Sequence, residues 1–143
     1  MGYIIALISG ALMSVQGVFN TQVTKTAGIW ATNSFVQLSA FLVCIIAWFF
    51  TGRESFSKVM QVEPKYMLLG GVIGAFITLT VIKSMGTLGP AKAALVIIVS
   101  QLIVAYLIEL FGFFGVDREI FEWKKLLGIA LAVAGFFVFR WEK

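Results

Sequence analysis

The chain has no histidine and a single cysteine, and only 13% of its 143 residues are charged. Without imidazole, neither a transition-metal site nor a histidine proton relay is expected, and no nucleophile has a histidine base to activate it. Cys44, alone and inside an apolar run, cannot form an intrachain disulfide. There is no Walker-type glycine-lysine phosphate loop and no pair of acids within a predicted span, so an enzyme is not expected and neither is a cofactor. No Lys or Arg precedes the first apolar run, which begins at Tyr3 and continues past signal-peptide length; a cleaved signal is therefore not expected either.

Apolar side chains are what the chain has in excess. They make up 60% of it, and the mean hydropathy is +0.99, far above what a soluble domain with a polar surface carries. Lipid is the expected solvent. The apolar runs are long and unbroken, at roughly the 20 residues of a spanning helix rather than the shorter alternating pattern of a spanning strand. This predicts an all-α integral membrane protein of five transmembrane helices, at about 2–24, 30–51, 66–86, 90–114 and 121–140, forming a single domain over 1–143. Trp30, Trp48, Tyr66, Trp123 and Trp141 fall near the predicted ends, where amphipathic rings are stable at head-group level. Thr87-Leu88-Gly89-Pro90 reads as a tight connection into the fourth helix. In the longest connection, 52–65, Phe56, Val59 and Met60 among charges fit a short helix on the membrane surface or a solvated loop.

The net charge of +4 comes from basic residues scattered in ones and twos, which reads as loop charge against anionic lipid head groups and not as a nucleic-acid surface. Five spans divide these cations between two faces. Six belong to the N-terminal face (Arg53, Lys58, Lys65, Arg118, Lys124, Lys125) and five to the other (Lys25, Lys83, Lys92, Arg140, Lys143). Orientation follows an excess of Lys and Arg on the cytoplasmic side, and a difference of one gives little instruction. Two outcomes stay open: one weakly determined orientation, or insertion both ways with head-to-tail pairing.

Polar groups at membrane depth are costly unless they face other helices or a wet cavity. In the first span Ser9, Met13, Gln16 and Asn20 share a face by helical spacing; in the second, Asn33, Gln37, Cys44 and Trp48 form a weaker stripe. The fourth span offers Ser100, Gln101 and Glu109, with Gln101 and Glu109 on neighbouring faces about 80° apart. Gln16, Asn20, Gln37 and Gln101 are the candidate lining of a substrate cavity, their amides suited to an uncharged or zwitterionic solute. The competing reading is that these amides bond to each other and hold helices together. Glu109, the acid inside the fourth predicted span, is the candidate for proton coupling; interfacial exposure or pairing with a loop cation such as Arg118 is the competing reading. Lys83 and Lys92 flank a tight loop and read as snorkelling to the head groups. Gly70 and Gly74 in the third span, with Gly128, Ala132 and Gly135 in the fifth, are candidate points of close helix packing.

Two sets of residues carry a family resemblance. Gly10-x5-Gln16-x3-Asn20, Gly28 and Asn33-Ser34-Phe35 in the first half resemble the YdcZ-like family of small bacterial membrane proteins. Gly86-x2-Gly89-Pro90-Ala91-x-Ala93-Ala94, Ser100-Gln101, Phe111-Gly112 and Gly128-x6-Gly135 in the second half are similar to the same family, and to the last helices of a repeat in the drug/metabolite transporter superfamily. The resemblance implies a bacterial inner-membrane protein that is half of a ten-helix, inverted-repeat transporter of a small organic solute. Such a half is completed by an antiparallel second copy or by a homologous five-helix chain. Small multidrug resistance transporters of that superfamily carry a glutamate in the middle of the first helix, and the first span here has no acid. The departure favours neutral or zwitterionic metabolites over guanidinium or quaternary ammonium compounds. A non-transporting membrane subunit or helix scaffold is the alternative function.

Overall fold

The computed structural model describes residues Met1–Trp141, and Lys143 of the charge count lies outside them. Apolar runs with little to interrupt them become helices: α1 (Gly2–Ala27), α2 (Ile29–Thr51), the short α3 (Ser57–Met60), α4 (Gly70–Leu88), α5 (Pro90–Phe111) and α6 (Trp123–Arg140). Short stretches of 3-10 helix, Lys65–Leu69 and Phe113–Gly115, precede α4 and follow α5, and no strand occurs among the described residues. The chain divides into two compact units, Met1–Thr87 and Leu88–Lys143.

Among the described residues, four helical stretches are long and apolar enough to cross a bilayer: Gly2–Ala27, Ile29–Thr51, Lys65–Leu88 and Pro90–Phe111. The fifth predicted span does not meet the same measure. Its helix has 18 residues and carries Lys124, Lys125 and Arg140 in its end turns. The uncharged stretch between them, residues 126–139, covers only about 21 Å of a hydrocarbon core of roughly 30 Å.

Boundaries shift for local reasons. The predicted loop after the first span shrinks to Gly28 alone. Its φ of 79° lies in the left-handed region, its N–H donates to Thr24 O at 3.0 Å, and its own carbonyl accepts from Thr32 N at 3.1 Å. Gly89 repeats that conformation at φ 82°, ψ 158°, against 79° and 160° at Gly28, with Pro90 supplying the first helical residue of α5. The fourth predicted span, α5, ends at Phe111 rather than at 114, because Gly112 (φ 67°) and Phe114 (φ 59°) both turn left-handed. In the longest connection α3 does form, with Phe56, Val59 and Met60 exposed. The Trp48 indole N–H holds that segment by donating to Glu54 O at 2.8 Å while its ring packs at a tilt against Phe56.

In the first unit α1 packs on α2 and both meet α4. Gly17 is the close approach, since a Cβ there would stand 2.6 Å from Met85 Sδ and Cε and 3.3 Å from Val81 Cγ1. Ile82 and Met85 are buried. In the second unit α5 packs on α6. The loop between them folds back over the α5 terminus: Glu119 N–H donates to Glu109 O at 2.9 Å and Arg118 Nε to Leu110 O at 3.2 Å, satisfying carbonyls that the helix leaves without partners.

Candidate functional site

The face predicted for α1 is present. Ser9, Met13, Gln16 and Asn20 line one continuous concavity along the helix. From Gln16 onward this surface meets α2 and forms a groove of about 560 Å³, whose far wall includes Thr32, Phe35, Ser39 and Cys44. That volume lies within the range of small-molecule sites, roughly 300–1,000 Å³.

Two wall hydroxyls are already spent on their own helix. Thr32 Oγ1 donates to Gly28 O at 2.8 Å and Ser39 Oγ to Val36 O at 2.9 Å. The α1 amides differ: neither the Gln16 nor the Asn20 side chain has a hydrogen-bond partner among the described residues. Asn20 is only 8% exposed. No buried side-chain N or O atom among the described residues is both sealed and unpaired, so the Asn20 amide keeps its opening, and it lines the groove. Each amide offers both donors and an acceptor.

The α2 stripe divides. Cys44 lines the groove and is exposed, whereas Asn33 and Gln37 turn to α4. Asn33 Nδ2 donates to Ala75 O at 3.0 Å. Gln37 Nε2 donates to Thr78 Oγ1 at 3.2 Å and to Asn33 Oδ1 at 3.4 Å. These amides join α2 to α4, which is the packing role weighed against cavity lining in the sequence. Gln37 is thus not brought into the groove with Gln16 and Asn20. Gln101 stands on α5, in the second unit, exposed and without a hydrogen bond among the described residues.

Glu109 lies in the last turn of α5, its side chain 43% exposed, with Lys125 Nζ at 3.8 Å. Lys125 also pairs closely with Glu119 and sits 5.8 Å from the centre of the Tyr106 ring. Tyr106 is buried and its hydroxyl accepts from Glu122 N–H at 3.4 Å. The cation beside Glu109 is therefore Lys125 of α6 and not Arg118, which is engaged with a backbone carbonyl. Tyr106 lies three residues before Glu109 on α5, and that spacing is the signal by which the sequence could have singled it out. The concavity on α6 beside Trp123, Leu126 and Leu127, about 420 Å³, is almost wholly apolar and suits lipid.

Gly70, Gly74, Gly128 and Gly135 have no atom from beyond their own helix backbone within 4 Å of where a Cβ would stand. Within the described chain they are open positions, and the tight contact falls on Gly17 instead.

The family model described as "Putative inner membrane exporter, YdcZ" matches residues 1–138. The Escherichia coli (strain K12) inner membrane protein YdcZ is 26% identical over 134 residues, covering 90% of this chain and 87% of that protein. No solved structure matches.

Proposed function

The chain belongs to the YdcZ family and is a multi-pass inner-membrane transporter protein, and from that premise we propose that it moves a small organic solute by alternating access as one half of an antiparallel homodimer. The observation that carries this reading is the α1–α2 groove, in which the Gln16 and Asn20 amides keep their hydrogen-bonding capacity unspent. Polar groups at membrane depth that bond to no other helix point toward a wet cavity and its cargo. The six-to-five division of cations between the two faces supports insertion both ways, which supplies the inverted partner. In this assembly α6 serves as the fifth span, its three cations reaching the head groups by snorkelling. Gly70, Gly74, Gly128 and Gly135, open within one copy, are left for contact between copies. Glu109 is the acid offered for proton coupling, with Lys125 beside it.

Solute screening on the purified protein tests the transport reading. Stabilisation by at least one metabolite is expected, and it is lost in Gln16→Ala and Asn20→Ala variants of unchanged helicity. No stabilisation and no flux across a broad metabolite panel would leave a helix scaffold in its place. Orientation is tested separately, with Cys44→Ala carrying one added C-terminal cysteine and an impermeant thiol reagent on intact cells. About half the sites should react before lysis, and labelling near none or near all would end the antiparallel arrangement.

A further inference from the structure

We infer that the α1–α2 groove selects an uncharged solute with a carboxamide-like head and an apolar or aromatic body. The inference rests on the reading of this groove as the solute site, and it narrows the ligand chemistry there. None of the groove's lining side chains is a carboxylate, an ammonium or a guanidinium. A cation, an anion or a zwitterion entering it would leave water without a counter-charge, and burial of an unpaired charge is far costlier than burial of a hydrogen-bonded neutral group.

The polar capacity that does face the groove is amide. Asn20, more than nine-tenths buried and without a partner among the described residues, offers an NH₂ and a carbonyl side by side. Gln16 repeats the pair one turn earlier, about 6 Å along the helix axis. A primary amide, lactam or urea answers such a group with its own donor and acceptor in a cyclic pair, whereas an ester or ether answers only the donor. The walls beyond the amides are Phe19, Phe35, Val36 and Val43, which fit an apolar body.

Cys44 makes the test direct, because the only thiol of the chain lines the groove and is exposed. The purified full-length protein is alkylated with N-ethylmaleimide in the presence of benzamide, benzamidine, benzoate or toluene. The first three share a ring and a planar head and differ in charge; toluene partitions into apolar surroundings without a head. Benzamide is expected to slow alkylation at a concentration at least about tenfold below that needed for the other three, as one desolvated charge or one lost amide pair demands. Asn20→Asp should reverse the order of benzamide and benzamidine. Gln16→Glu, at an exposed position, provides the same reversal where Asn20→Asp does not fold.

Equal or stronger protection by benzamidine or benzoate overturns the neutral-head assignment while leaving the groove a solute site. Protection led by toluene overturns it in favour of apolar filling, as by a lipid chain. No protection by any of the four, with Cys44 still reactive, overturns both this inference and the solute-site reading beneath it.

Discussion

The two sides of α2 border amide pairs that are put to opposite uses. Toward α4, Asn33 donates its amide N–H to Ala75 O, and Gln37 donates to Thr78 Oγ1 and to Asn33 Oδ1. Toward α1, the groove opens onto Gln16 and Asn20, another amide pair at the same four-residue spacing, and these bond to nothing among the described residues. An amide in a lipid-embedded helix is therefore not by itself a sign of either packing or binding. What separates the roles is whether a neighbouring backbone comes within reach. Between α2 and α4 it does, while Phe19, Phe35 and Val43 hold the groove side open.

That contrast can be broken at its packing side. Gly17 lets α1 approach Met85, so Gly17→Leu should lower stability by about 1–3 kcal/mol through overpacking. Unfolding in mixed micelles at rising dodecyl sulfate reads the loss, and Met85→Ala should restore part of it by clearing the space. Asn33→Ala should cost about 1 kcal/mol, since it removes the bond to Ala75 and the acceptor for Gln37. The same titration measures it. In the second unit, Glu119→Gln removes an ion pair whose two side chains are 50% and 35% exposed. Partial exposure limits the loss to about 0.5 kcal/mol or less, so its unfolding curve should overlie that of the parent.

Much of this architecture was legible before any coordinates. Length and hydropathy give α1, α2, α4 and α5 because lipid leaves a long apolar run few options besides a helix. Helical spacing correctly gathered Ser9, Met13, Gln16 and Asn20 onto one surface, as that depends on a single element. Spacing could not divide Asn33 and Gln37 from Cys44, because the division is made by where α1 and α4 cross α2. Nor could it distinguish Gly17 from Gly70 or Gly128. A glycine becomes an interface only when another helix arrives, and composition does not record the arrival. Lys125 replaced Arg118 as the neighbour of Glu109 because the loop after Gly112 folds back and gives Arg118 to a helix carbonyl.

The contrast between groove and seam is tested most directly by one paired measurement on Asn20→Ala and Asn33→Ala, with benzamide protection of Cys44 and the unfolding midpoint read on the same preparations. Asn20→Ala should lose protection about tenfold or more and keep its midpoint, while Asn33→Ala should lose midpoint and keep protection. The opposite assignment, with Asn20→Ala unfolding early and Asn33→Ala losing protection, would contradict the division of labour between the two faces of α2.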